Sequence, residues 1–297
     1  MYDRFAFEQD GHFFCKKEGE NLNQNLIVEN LNNAFSTWNG KLGELWGLVT
    51  TGPQTFKGGA VWSVMQTLHN GMVGIGYALV VLFFAISLCK NTMNFHELKR
   101  PEAAIHYFLR FVAAKALVGY GMDIMLNVFS ICNGIVTDMA NSMGGISEAM
   151  VSLPAEMQTA IENVGFLASI PLWLVTILGS LFITVLSFVM ILTVYGRFFR
   201  LYMYTALAPL PLAAFAGEST QSVGISFLKS YVGVCLEGAV IVLACVIYSA
   251  FVSTPTVASG EATTIVWSYL AETVFNMLVL VGLIKGSDRI IHEMMGL

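Results

Sequence analysis

Charge is what this chain has least of. Only 12% of its 297 residues are Asp, Glu, Lys or Arg, where a soluble globular domain carries about a quarter. The acidic excess is small and no run of bases occurs. Nothing therefore marks a nucleic-acid-binding surface of the chain's own. Cysteine is scarce as well. Cys15, Cys89, Cys132, Cys235 and Cys245 are odd in number and far apart, so they read as small hydrophobes rather than as a disulfide framework or metal cage. His69, His96 and His106 lack metal-ligand spacing. No phosphate-binding glycine loop is present, and no Ser-His-acid set can be assembled. The reading is of a protein that is not an enzyme and needs no cofactor. The first ten residues lack a basic region followed by an apolar core, so no signal peptide is expected there.

What the chain has in excess is apolar sequence, 56% of all residues. Several runs reach 18 residues or more, long enough for a hydrocarbon core of roughly 30 Å. The expected fold class is all-α: a polytopic membrane protein with five transmembrane helices, a proline-broken re-entrant segment and an N-terminal amphipathic helix. Residues 1–60 form an expected extracellular tail and residues 61–297 a transmembrane domain. No structure is assigned to residues 1–20. From Asn21 to Val49 the residues Leu22, Leu26, Leu31, Phe35, Trp38, Leu42, Leu45 and Val49 make an apolar helical stripe. With Trp38 and Trp46 it suits a membrane interface or a neighbouring helix. Thr51-Gly-Pro53 ends the pattern.

The expected spans are about 72–89, 111–131, 166–195, 230–251 and 263–284. The second is the core of one helix running from about Glu102 to Val136. Residues 137–164 read as a polar, acidic loop. Residues 198–216 are apolar enough for a membrane, but Pro209 and Pro211 interrupt them, between Arg197 and Arg200 on one side and Lys229 on the other. Counting bases in short loops sets orientation. Lys90, Lys99, Arg100, Arg197, Arg200, Lys229, Lys285 and Arg289 share one side only if residues 198–216 enter and return. The expected arrangement is N-terminus outside and C-terminus in the cytoplasm.

Charges inside spans are expensive and face protein or water by default. Lys115, Asp123, Glu237 and Glu272 are the candidates. Lys115 and Asp123 stand eight positions apart on the expected second helix, on one face, and Glu272 stacks with Asn276 on the last span. One reading is an interhelical network that fixes packing, with Lys115 held by Glu237 or Asp123. The other is a hydrophilic path or a polar oligomer seam. The glycines at 71, 74 and 76, and at 119 and 121, allow close helix approach. No second copy of the broken segment exists, unlike transporters built from repeats.

Three blocks carry a family resemblance. They are the residues Leu98 to Lys115 (LKRPEAAIHYFLRFVAAK), Arg197 to Ala216 (RFFRLYMYTALAPLPLAAFA) and Ser226 to Val240 (SFLKSYVGVCLEGAV). From about residue 60 onward the chain resembles the TrbL-like polytopic inner-membrane subunits of bacterial conjugation and type IV secretion systems, in the form found in Gram-positive conjugative elements. The resemblance implies five spans, an outside N-terminus and a multi-pass place in the cytoplasmic membrane. It also implies a ring-like homo-oligomer that contacts cytoplasmic ATPases and other secretion subunits, with membrane lipid around it. DNA or protein would be cargo only in transit. The implied function is that of a channel or scaffold subunit. The alternative is a small-solute or ion transporter using the four intramembrane charges.

Overall fold

The computed structural model describes residues 3–92, 101–142, 150–251 and 262–296. Lys99, Arg100 and residues 252–261 of the expected loop, together with part of the first resemblance block, lie outside them. Helices account for the regular structure among the described residues. They are α1 (Asp3–Thr50), α2 (Ala60–Thr92), α3 (Pro101–Gly119), α4 (Gly121–Ser142), α5 (Ala155–Glu162), α6 (Phe166–Leu207), α7 (Pro209–Ala213), α8 (Gln221–Phe251) and α9 (Ala262–Met295). Short 3-10 turns at Phe56–Gly59 and Ala214–Ala216 precede α2 and follow α7.

Four stretches are long and apolar enough to cross a membrane: Phe56–Lys90, Leu167–Leu207, Gln221–Phe251 and Thr263–Met295. A fifth arises if α3 and α4 count together as one broken span. Here the structure corrects the expectation. The single helix anticipated over residues 102–136 is two helices, bent by 72° at Tyr120. Glycines at 119 and 121 weaken the helix on both sides of the bend. Both also sit close against a neighbouring side chain, which a Cβ would have to displace. A Cβ on Gly119 would lie 2.7 Å from Tyr77 Oη, and one on Gly121 would lie 3.1 Å from Leu212.

Two further differences concern helix limits. Residues 3–20, given no structure from the sequence, continue α1. The third helix, expected to stop at Tyr195, runs on to Leu207, so the first ten residues of the 198–216 segment belong to α6. At 1.5 Å per residue, α6 is about 63 Å long, roughly twice the hydrocarbon thickness.

The helices pack into two compact units. The first comprises residues 1–46, 144–192 and 244–285. Within it Trp38, Leu31, Phe35, Leu42 and Leu45 of the α1 stripe are buried, while Leu26 is exposed and Ile27 takes the inward position. The segment before α6, read as a polar loop, buries Met157 and Ile161 of α5 and the flanking Leu153 and Val164. Side-chain amides pin it to α1. Asn39 makes two bonds with the Val151 backbone, at 2.8 and 2.9 Å, and Gln24 donates to the Val164 carbonyl at 2.9 Å.

The second unit comprises residues 47–143, 193–243 and 286–297. In it α7 and the 3-10 turn after it pack on α2 and α3. Ala208, Leu212, Ala213, Ala214 and Ala216 are buried there. Gly76 of α2 makes the approach possible, since a Cβ on it would meet the Pro209 carbonyl oxygen and Val118 at 2.9 Å. Gly74, two residues earlier, faces open space. Gly76→Ala is therefore expected to destabilise the detergent-solubilised protein by about 1–3 kcal/mol through overpacking, while Gly74→Ala leaves its thermal unfolding midpoint unchanged or slightly raised. Equal midpoints for the two variants would contradict this packing.

Candidate functional site

The second unit gathers most of the conspicuous sequence features around the end of α6, and the backbone at Pro209 shows why. A proline has no N–H to give to the carbonyl four residues earlier. Pro209 thus leaves the Thr205 carbonyl without its helical donor. In apolar surroundings an unsatisfied carbonyl costs several kcal/mol. His69 of α2 supplies the missing donor: its Nδ1 lies 2.7 Å from the Thr205 oxygen. The ring is buried, and bonding to a carbonyl requires the proton on Nδ1.

The far end of the break is closed the same way. Arg110 of α3 donates through Nε to the Phe215 carbonyl at 3.0 Å, and its other arm bonds the Gln221 side chain. Thr220 Oγ1 donates to the Ala214 carbonyl at 2.7 Å. Pro209 and Pro211 themselves stand in the first turn of α7, where their missing N–H groups cost little. The prolines end one helix and begin another, and side chains of α2, α3 and the loop before α8 satisfy the carbonyls between.

Between two and four turns before the break lies a charged cluster. Arg197 and Arg200 are three residues apart and share a face of α6. Arg197 is fully buried. Its guanidinium donates to the carbonyls of Val234 at 3.2 Å and Cys235 at 3.1 Å, both on α8, and of Val49 at 3.4 Å. It also lies 6.0 Å from the centre of the Phe129 ring. Val49 is in the last turn of α1, where carbonyls lack intrahelical donors and the helix dipole favours a cation. Gly238 makes room on α8, since a Cβ there would fall 2.7 Å from the guanidinium. The turn after α1 is held beside it. Phe56 stacks on Phe198 at 4.0 Å between centres, and Tyr202 donates to the Pro53 carbonyl at 2.9 Å.

Arg200 forms the ion pair of the cluster. It grips both oxygens of buried Glu237, at 2.8 and 2.7 Å, and its other arm pairs with Asp288 of α9. Ser287 donates to Glu237 at 3.2 Å. Both carboxylate oxygens of Glu237 are thus satisfied.

The candidates from sequence divide accordingly. Arg197, Arg200, Glu237, Pro209 and Pro211 come together within this unit. Lys115 does not join them. It is exposed on α3 and pairs with no described residue, and Arg200 takes the place at Glu237 expected for it. Nor do Lys115 and Asp123 share a helix face, because the 72° bend falls between them. Asp123 is exposed at the start of α4. Glu272 and Asn276 belong to the other unit, where Glu272 is exposed and Asn276 buried. His69, Arg110 and Asp288 are bonding partners in this unit that sequence reasoning did not single out. The signal for His69 was a lone histidine in an apolar span of a chain whose later proline strands a carbonyl.

A family model described as "TrbL/VirB6 plasmid conjugal transfer like protein" matches residues 38–209. The match begins inside the expected tail, in the part of α1 that leads to Val49, and ends at Pro209. Comparison with curated proteins and with solved structures found no match. The chain belongs to the TrbL/VirB6 conjugal transfer family, and its apolar helices make it a multi-pass membrane protein.

Two outcomes test this geometry. His69→Ala should cost about 1–3 kcal/mol of stability by stranding the Thr205 carbonyl. In a Pro209→Ala background, where residue 209 regains its N–H, the same change should cost markedly less. A double-mutant cycle on detergent unfolding measures the difference. Removing one side of the buried pair, by Glu237→Ala or Arg200→Ala, should cost about 3–5 kcal/mol. Replacing both by apolar residues, Arg200→Met with Glu237→Leu, should recover a large part of that loss.

Proposed function

We propose that this protein is a channel or scaffold subunit of a conjugative type IV secretion complex, helping DNA or protein cross the cell membrane. The observation that carries the reading is the break at Pro209. Here α6 ends and the chain continues as the short helix α7 and a 3-10 turn, buried among apolar helices, and each stranded carbonyl identified above is held by a side chain from elsewhere in the unit. Irregular backbone at membrane depth persists only when buried in protein or lining a water-filled cavity. Holding it in one geometry calls for donors such as His69, Arg110 and Thr220. The cluster of Arg197, Arg200, Glu237 and Asp288 ties α1, α8 and α9 to the α6 helix that leads into the break. Such an element is a fixed structural fitting suited to a passage or platform, with cytoplasmic ATPases of the complex supplying the work.

In this reading the bent pair α3–α4 is one of five spans, the N-terminus lies outside and the C-terminus in the cytoplasm. Residues 208–216 enter and return on the cytoplasmic side. The protein assembles as a homo-oligomer with other secretion subunits. Exposed Lys115 and Glu272, costly in lipid, face other protomers or partners.

The role is tested in a donor cell carrying the conjugative element. Deleting residues 60–297 should abolish transfer while the partner motors keep hydrolysing ATP; normal transfer would overturn the reading. Topology is tested separately. Cysteines placed at Ser219 and Ser222, both exposed, should react with an impermeant maleimide from the cytoplasmic side alone. Reaction only from outside would mean an additional crossing.

A further inference from the structure

A polar cavity of about 520 Å³ opens in the second unit between the turn after α1 and the first turns of α4. Its walls are Gly52, Pro53 and Gln54 on one side, and Asp123, Leu126, Asn127, Phe129, Ser130 and Asn133 on the other. The volume falls in the range of ligand-binding clefts. Neither the broken segment nor the charged cluster uses it, although Phe129 separates it from Arg197.

The chemistry of the walls limits what fits. Asp123 is the one charged residue of the lining, and no Lys, Arg or His is among them. Phosphate groups, whether of a nucleic acid or a lipid, would therefore meet only a negative charge. Asp123, Asn127, Ser130 and Asn133 follow one another at helical spacing over ten residues, a row about 15 Å long. A metal ion needs its oxygens at roughly 2.0–2.6 Å, so this row exceeds a single coordination sphere. The amides present donors as well as acceptors, which a polyamine, offering donors alone, would leave unused. Asn133 is held in one orientation, since its Nδ2 donates to the Thr50 carbonyl at 3.3 Å. Its Oδ1 is enclosed and has no partner among the described residues. An extended polypeptide answers all these demands. It alternates N–H and C=O groups, and about four or five residues cover 15 Å at 3.3 Å each.

We propose that this cavity binds an extended segment of a partner protein, about four or five residues long, with a lysine or arginine placed against Asp123. Asn127, Ser130 and Gln54 bond its peptide groups, and Leu126 and Phe129 support its alternate side chains. This assignment rests on the lining alone and does not depend on the role in transfer.

The test uses the full-length protein in detergent and fluorescent pentapeptides, Gly-Ser-Lys-Ser-Gly and Gly-Ser-Glu-Ser-Gly, read by anisotropy. The lysine peptide should bind at least about tenfold more tightly than the glutamate peptide, because like charges at a recessed site repel. Asp123→Asn, an exposed and nearly isosteric change, should remove that preference. Ser130→Trp, which fills the cavity, should abolish binding of both peptides while thermal unfolding is unchanged. Calcium, magnesium or spermidine at equal concentration should not displace the lysine peptide. Equal binding of the two peptides overturns the proposal, as does an undiminished preference in Asp123→Asn. Displacement by a metal ion or by spermidine would instead make the site a cation site and equally overturn it.

Discussion

The carbonyl of Thr205 cannot be bonded by its own helix, and much of the second unit follows from that constraint. Pro209 removes the donor, and Thr205 is buried. A neighbouring helix must bring a donor to the right depth, which fixes the register of α2 against α6 through His69. The same need at Phe215 fixes α3 through Arg110. Close approach of α2 then requires a residue without a side chain where Pro209 passes, and Gly76 is there. A single missing hydrogen thus sets the relation of three helices.

The charged cluster obeys a related rule. A buried guanidinium is tolerated only when its N–H groups find acceptors. Arg197 finds them in backbone carbonyls, two on α8 and one at the end of α1, rather than in a carboxylate. Arg200, one turn on, takes the carboxylate. The division has a structural reason. Arg197 faces a helix surface opened by Gly238 and the electron-rich end of α1, while Arg200 faces Glu237 and the last helix. Both arginines therefore act as ties between helices. This is why the turn after α1, with Phe56 stacked on Phe198 and Pro53 bonded by Tyr202, belongs to the same unit as the broken segment. The family match starting at residue 38 agrees with that architecture, since the end of α1 is part of the body of contacts around Arg197 rather than an appendage.

The transporter alternative asks the four intramembrane charges to form one midplane site. Glu237 is fully engaged with Arg200 and Ser287, while Lys115, Asp123 and Glu272 are exposed. That pattern suits charges spent on packing and on surfaces better than a shared substrate site.

The sequence by itself determined the class of the protein. Apolar runs of spanning length, the proline-interrupted segment and the glycines at close contacts are local properties, and hydrogen bonding in an apolar medium leaves helices as the one open-ended solution. The α1 stripe through Trp38, Leu42 and Leu45 was legible because helical period is carried by neighbours in sequence. Arg197, Arg200, Glu237, Pro209 and Pro211 stood out for the same reason, as charges and prolines in apolar sequence. Only the tertiary structure decided which charge meets which. Lys115 and Arg200 are equally plausible partners for Glu237 on paper, and the choice depends on a bend at Tyr120 and on α6 running twelve residues past its expected end. Whether Gly119 and Gly121 merely permit contact or break a helix depends on Tyr77 and Leu212, more than forty residues away on one side and ninety on the other. The partners of the stranded carbonyls, His69 for Thr205 and Arg110 for Phe215, are over a hundred residues distant in sequence. No local pattern encodes such a pairing, because a hydrogen bond is specified by position in space, and that position exists only once the helices have packed.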